Sequence, residues 1–506
     1  MKITPELEAD MISKGIDIGL SLELLEAYNS GRYDAFTSVR ASGVPKIDGK
    51  TVVDLRGEHG FSFPAEQAIE RLSSLGIDLP ESLKTARSAD GTKFVFFSRE
   101  EAQAIGLRLF SKTAYGVLNG GSATSYADRK KNLAFGSEVF RVLEKPFEHL
   151  APLCAEKPKG VTPAYICPDG SPGASFLELK MRARLLLSLR SGRKAEDRGN
   201  FLPLFEMTSS SNGPQLSAHY EEARRGEYLF ELSSLAGLEP ADWMGASQSL
   251  ICAFTHSSEG RPKRIFSRAF GKPDSSLALP GGHGQCFRVL APILSALRDS
   301  GIRFAFIGNV DNLGYIPDPL DLAVLALSGE PAAFEFSART PMDIKGGILV
   351  RTADGRKVVA DIGQAIDLST VLELEKTGET ILFNCATGLF DLDYLVPRLD
   401  AIALDLPLRF SDQDKDAGKY SQAEQSAWEV TGILPSFLAL VVEKKKRFLA
   451  AKLLSDTLLT SGVGLDEPPL PSGIQALAKE LNTGLFDLLS KAYGLKLEHG
   501  RWIASP

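Results

Sequence analysis

From Ala114 onward the chain alternates short apolar runs with longer amphipathic segments, the pattern of a mainly parallel sheet covered on both faces by helices. Runs at Tyr115–Leu118, Leu204–Met207, Leu250–Phe254, Arg303–Ile307, Ala332–Ser337 and Thr380–Phe383 predict its strands. Ala174–Leu189 and Gln285–Leu297 have helical spacing and open on small residues and glycine, and SREEAQAIGLRLFSK predicts a helix just before the first strand. The expected fold is therefore α/β, with a mixed, mainly parallel sheet between helices.

The two ends read differently. Residues 1 to 98 carry helical patterns, PELEADMISKG and LSLELLEAYNSGRYDAF, broken by Gly, Pro and Asp near Val44 to Gly49 and Asp90 to Gly91. They predict an N-terminal helical extension that packs on the outside of the sheet or mediates self-association. Residues 99 to 459 form the expected main domain. After the break DEPPLPSG, the stretch IQALAKELNTGLFDLLSKAYGL predicts a short helical C-terminal region over 460–506.

In open α/β sheets ligands sit at the carboxyl ends of the strands. LNGG, EMTS, GNVDN and FNCATG each start where an apolar run stops, so they are the segments to search for chemistry. Ala114 to Ser125, AYGVLNGGSATS, is the most suggestive, because a turn built on Gly120 and Gly121 brings backbone N–H groups against a ligand with no Cβ in the way. Taken alone, such a turn is equally an ordinary strand exit.

Composition narrows the class. The chain has 506 residues, 43% hydrophobic and 24% charged, with a formal charge of −7 and no basic block of the kind that binds nucleic acid. Its one concentrated basic run, Lys444 to Arg447, fits a solvated turn or a contact with an anion. No stretch approaches the ~20 apolar residues of a membrane span and the start lacks a signal-peptide core, so a cytoplasmic protein without membrane partner is expected. Five scattered cysteines have no metal-ligand spacing and are expected to be reduced and buried.

Five blocks in order carry a more specific signal: LNGG, then KPKGVT at Lys157 to Thr162, PGGHG at Pro280 to Gly284, NVDNLG at Asn309 to Gly314 with DIKGGIL close behind, and RFLAAKLLSD at Arg447 to Asp456. Together they resemble the UDP-sugar pyrophosphorylase family, the UTP:sugar-1-phosphate uridylyltransferases. The resemblance implies a Rossmann-like nucleotidyltransferase domain, an Mg²⁺ requirement, UTP and a sugar 1-phosphate as substrates, and UDP-sugar and pyrophosphate as products. It assigns Lys159 and Lys452 to catalysis, Asp311 to the metal, and Leu118, Gly120, Gly121, Gly282 and His283 to the nucleotide. For the sugar it points to Asn309, Gly346, Asn384 and Glu424. On the residues alone, Lys159 reads first as a solvated loop lysine, while Asp311 is equally a cap for the helix predicted at Pro317 to Leu327, Asn384 a turn former and Gly346 a bulge.

The chain departs from the family pattern twice. After LNGG it has Ser122, Ala123 and Thr124 in place of a second glycine step, and about thirty residues separate this loop from Lys159. That insert, with Arg129, Lys130 and Lys131 and the pattern SEVFRVLEKPFEHLAPL, predicts a structured lid whose basic cluster takes over phosphate contacts. The repeat of the left-handed β-helix that many members carry after the catalytic domain is not visible. GGHG and RFLAAKLLSD lean toward UDP-glucose pyrophosphorylases, whereas SFLELKMR and FNCATGLFDLDYL lean toward UDP-N-acetylhexosamine pyrophosphorylases. Glucose 1-phosphate is favoured, with N-acetylglucosamine 1-phosphate and a non-catalytic UDP-sugar binder as alternatives. A homo-oligomer is compatible with either.

Overall fold

The path of the central sheet crosses the chain order repeatedly. In the computed structural model, which describes residues 3–505 apart from 38, 80–83, 89–90, 122–125, 134–135, 193–200, 211, 342, 344–345 and 466–469, an 11-stranded sheet has the main order Val52–Asp54, Leu438–Val442, Ala332–Ala338, Leu382–Asp391, Phe304–Asn309, Thr113–Leu118, Leu204–Ser209 and Trp243–Gln248. All neighbours along this path are parallel except the pairs made by Leu382–Asp391, which runs against both of its neighbours. The parallel strands therefore end on one edge, and the antiparallel strand begins there. Thr113–Leu118 is buried at every position, the burial expected of a strand with helices on both faces.

Two apolar clusters sandwich the sheet. One joins it to helices Arg99–Leu109, Ser137–Cys154, Phe176–Arg190 and Pro319–Ser328, the other to Ala291–Asp299 and Leu399–Asp405. Local signals set the helix ends. Ser98 with Glu101, and Ser175 with Glu178, form reciprocal capping boxes. Asp318 caps Pro319–Ser328 through the Leu320 N–H, and Gly329 closes that helix in the left-handed region.

The α/β class is as expected, and several details differ. The run Leu250–Phe254 is not a strand of the central sheet. Leu250–Cys252 pairs with Ala278–Pro280, and Phe254–Thr255 joins the hairpin of Leu408–Lys415 and Gly418–Gln425 in a small separate sheet. The outer strand of the central sheet is instead Trp243–Gln248, an edge strand whose mixed burial gives no apolar run to detect. FNCATG is not a strand exit. The chain enters its strand at Leu382 and runs on to Asp391, absorbing Ala386, at φ 52°, where the register with Ala332–Ala338 shifts.

The first 98 residues contain the expected helices Pro5–Ser13 and Ile18–Asn29, and strands as well. Val52–Asp54 forms one edge of the central sheet beside Leu438–Val442, and Leu20, Leu24 and Leu25 pack on Ile251, Phe254 and Leu408 of the smaller sheets. The C-terminal helix Ser472–Asp487 is present, followed by a π-helical turn, Leu488–Ala492, and a hairpin of Leu495–Glu498 with Arg501–Ala504 that the helical pattern did not announce. All five cysteines are free and buried. Among the described residues no helix is long and apolar enough to cross a membrane.

The basic run at Lys444–Arg447 is not a solvated turn. Arg447 is buried against Glu335, with its guanidinium also 3.6 Å from Asp321 and 3.9 Å from Asp318, while Lys444 pairs with Asp343. Removing one member of such a cluster leaves the others charged without a partner. Arg447→Met is expected to destabilise the fold by about 3–5 kcal/mol, read as a lowered midpoint with unchanged slope in urea denaturation.

Candidate functional site

The glycine turn leaves the sheet between two strand ends. Asn119 N–H donates to Met207 O and Val310 N–H to Leu118 O, so the turn stays hydrogen-bonded to both neighbouring strands. A Cβ on Gly120 would lie 2.6 Å from Gln248 Oε1 and would have to displace that side chain, whereas the space beside Gly121 is open. Residues 122–125, where the chain departs from the family pattern, lie outside the described residues.

Asn119 ties this turn to the Lys159 segment. Its Oδ1 accepts from Gly160 N–H at 3.0 Å, and its Nδ2 donates to Glu206 Oε1 at 2.6 Å. Glu206 also accepts from Tyr220 Oη, and burial raises its carboxyl to about 7. Lys159 sits in a short 3-10 turn, Lys159–Val161, and is not a solvated loop lysine. Its ammonium donates to Ala451 O, lies 3.6 Å above the Tyr126 ring and stands 3.9 Å from Asp311 Oδ2. Burial lowers Lys159 to about 8, against the opposing pull of Asp311 and Asp456. The ammonium is thus poorly solvated and receptive to an added anion.

Asp311 follows the strand Phe304–Asn309 and does not cap the next helix, a place taken by Asp318. Its backbone O accepts from Ala451 N–H, and Asn312 forms a β-bridge with Ala450, so NVDNLG and RFLAAK run side by side. That pairing sets Lys452 in the same neighbourhood as Asp311. Lys452 is exposed, and both it and Lys159 act on the buried Asp456. Among the described residues no three His, Cys, Asp or Glu side chains form a cluster able to hold a metal by themselves.

A second group of residues faces a cavity of about 210 Å³ lined by Gly282, His283, Asn384, Arg409, Glu424 and Trp428, among others. His283 Nδ1 accepts the Ala427 N–H at 2.9 Å, which fixes the ring proton on Nε2. Burial, with Lys452 nearby, lowers His283 to about 4, so it is a neutral donor at physiological pH. Gly282 has φ 87°, and a Cβ there would meet Gln425 O at 2.4 Å. Its close approach is to the backbone of the Gly418–Gln425 strand. Asn384 Oδ1 accepts from Ala386 N–H, and Glu424 accepts from Gln422 Nε2. Gly346, at φ 127°, packs against the Phe383 ring behind this cavity, and its neighbour Gly347 is the glycine that lines it. Asn309 lies in register with Leu118 on the adjacent parallel strand.

The insert expected as a lid forms two helices, Arg129–Leu133 and Ser137–Cys154. Arg129 is turned into them, paired with Glu144 and Glu148 and stacked over Phe140, and does not reach the glycine turn as a phosphate ligand. The residues that sequence reasoning missed are the polar ties. Asn119, Asn312 and Lys180 are all buried, and Lys180 donates to Asn312 O and Tyr315 O at 2.6 and 2.7 Å. One signal was available: Lys180, Arg182 and Arg184 alternate through a helix that is buried nearly all round, so they could not all reach solvent.

The α/β fold that carries these residues is also found in solved structures of other proteins. UDP-glucose pyrophosphorylase from Leishmania major superposes with a TM-score of 0.54 at 16% identity, over 90% of this chain and 79% of that one. In sequence, residues 263–465 match the family model of UTP--glucose-1-phosphate uridylyltransferase, in agreement with the resemblance carried by the motifs. The UTP--glucose-1-phosphate uridylyltransferases of Astragalus penduliflorus and Solanum tuberosum are 29% identical over 191 residues and 30% over 182, or 37% and 36% of this chain. The aligned part is about two fifths of those relatives' length.

His283 supplies a test of the site's electrostatics. Its folded pKa lies below the ordinary 6.5, so the unfolded chain takes up a proton first as pH falls, and the contribution is lost between about 6.5 and 4. His283→Gln keeps an acceptor for Ala427 and removes that titration. The wild type is expected to lose stability more steeply than the variant across this window, in urea denaturation at stepped pH.

Proposed function

We propose that this protein is an Mg²⁺-dependent UTP:sugar-1-phosphate uridylyltransferase, with glucose 1-phosphate the favoured sugar. The observation that carries the reading is the placement of Lys159 beside Asp311, 3.9 Å apart, at the strand edge where the glycine turn also ends. The matched family and its relatives support it.

In this reading a phosphate oxygen of the sugar 1-phosphate attacks the α-phosphorus of UTP in line. The new P–O bond forms as the bond to the β-phosphate oxygen breaks, and pyrophosphate leaves with its electron pair. The attacking oxygen is already anionic near neutral pH, so the protein supplies position and charge compensation in place of a general base. Lys159 and Lys452 bind phosphate oxygens. Backbone N–H groups of Gly120 and Gly121 hold the nucleotide at the end of the strand that Leu118 closes, and His283 donates from Nε2. Gly282 shapes the nucleotide side of the cavity by letting the chain pass the Gly418–Gln425 strand. Asn309, Asn384 and Glu424 offer hydrogen-bonding groups to sugar hydroxyls, and Gly346 shapes the wall behind them.

Asp311 fits the demand of magnesium, which typically takes one or two protein carboxylates and completes its octahedron with phosphate oxygens and water. Its side chain keeps 22% exposure and faces one cation, Lys159, within 4 Å. When bound, the ion would offset the charge of the phosphates. In this reading the nucleotide sugar is made in the cytoplasm.

The assay is pyrophosphate release from UTP with a panel of sugar 1-phosphates. Asp311→Asn and Lys159→Gln are each expected to lower turnover by about 10²–10³, the scale of one lost electrostatic stabiliser. UDP-sugar binding without metal should change little in Asp311→Asn. Wild-type silence with every sugar, alongside measurable UDP-sugar binding, would establish a binder instead.

A further inference from the structure

We propose that the C-terminal segment Ser472–Ala504 is part of the site's positioning machinery, and that Tyr493 is a positioning residue for the loop that carries Asp311. The inference rests on the functional reading above and concerns residues beyond the segment that matches the family.

Three carbonyls of the NVDNLG loop and the tyrosine that follows it point inward. Lys180 donates to Asn312 O and Tyr315 O, and Tyr115 Oη also donates to Tyr315 O, at 2.8 Å. The third, Leu313 O, accepts from Tyr493 Oη at 2.6 Å, and among the described residues no other donor reaches it. Tyr493 is fully buried. It is held from behind by Arg182, whose guanidinium donates to the backbone O of Tyr493, Gly494 and Ser505, and so fastens both ends of the hairpin to the helix that also presents Lys180. One buried helix thus supports the Asp311 loop twice, directly through Lys180 and through the tail by way of Arg182 and Tyr493.

The tail also touches the other charged motif. Gly484 of helix Ser472–Asp487 packs so closely on Lys445 that a Cβ there would lie 2.4 Å from its carbonyl. Leu477 and Leu481 of the same helix wall a cavity of about 230 Å³ that Lys452 lines from the opposite motif. Both segments that would face the phosphates therefore rest on the tail. A segment needed only to cover the core would bury apolar side chains there. Tyr493 instead brings a hydroxyl to a backbone carbonyl two residues from Asp311.

Tyr493→Phe removes that hydroxyl and keeps the ring. The full-length variant is expected to lose no more than about 1–2 °C of thermal midpoint and to keep its KM for UTP and sugar 1-phosphate, while kcat falls about fivefold, the worth of one neutral hydrogen bond. In the protein without substrate, amide hydrogen exchange should quicken at Asn312 to Tyr315 and stay unchanged in Thr113–Leu118. Tyr228→Phe, which removes a bond to Trp502 O at the far side of the hairpin, is the control and should leave kcat and loop exchange as in the wild type. Unchanged exchange at Asn312 to Tyr315 in Tyr493→Phe overturns the inference whatever kcat does. If the wild type releases no pyrophosphate, the functional reading fails by itself, and exchange still decides the role of Tyr493.

Discussion

One buried amide, that of Asn312, holds the two charged motifs against each other. Its Oδ1 accepts from Leu449 N–H and Gly314 N–H, both at 3.0 Å, and its Nδ2 donates to Arg447 O at 2.9 Å. The first and third of these bonds cross from NVDNLG to RFLAAK, and the second tightens the turn after Asp311. Because the side chain is completely buried, its donors and acceptors have little competition from water, and the geometry they impose is specific. Lys159 then reaches Ala451 O and Asp311 together because those two are already paired through the backbone.

The same region contains more buried charge than a stable core requires. Lys159, Lys180, Arg182, Arg184, Glu206, Asp321 and Glu335 are all buried. Burial of isolated charge is costly, so each is compensated, and the manner of compensation separates two kinds of residue. Lys180, Arg182 and Arg184 spend their donors on backbone carbonyls, and Arg447 spends its own on carboxylates, so these groups are committed to structure. Lys159 is different. Its pairing with Asp311 is long, and its third partner is only a ring face. An incoming phosphate would improve its surroundings, whereas it would disrupt those of the other four.

How much of this was legible depended on whether a signal is local. The sheet strands at Thr113–Leu118, Leu204–Ser209, Phe304–Asn309 and Ala332–Ala338 could be read because strands buried on both faces are continuous apolar runs. Trp243–Gln248 could not, because an edge strand need not be apolar throughout, and Val52–Asp54 is three residues long and finds its place only through its partner Leu438–Val442. The site followed the same division. Glycines, Lys159 and Asp311 stood in recognisable short blocks. Asn119 stood in one too, but its tie to Gly160 and Glu206 spans 41 and 87 residues, and nothing in the block announces it.

The wrong expectations share a physical cause. By sequence the cluster Arg129 to Lys131 reads as a set of phosphate contacts and the run Lys444 to Arg447 as a solvated turn or an anion contact, since sequence does not show where the acids fall. Arg129 found Glu144 and Glu148 on the next helix, and Arg447 found Glu335 across the sheet edge. Arg129, Lys444 and Arg447 thus neutralise protein charge, which narrows the cations available to a bound polyanion. Lys159 lies beside Asp311, and Lys452 lies near His283 without a carboxylate in contact range among the described ion pairs. A site that must bring two polyanions together gains from this economy, because any arginine left exposed at the rim would offer the phosphates a competing resting place. Specific positioning then comes from two lysines of different character, one buried and pre-oriented, the other exposed and able to follow the ligand.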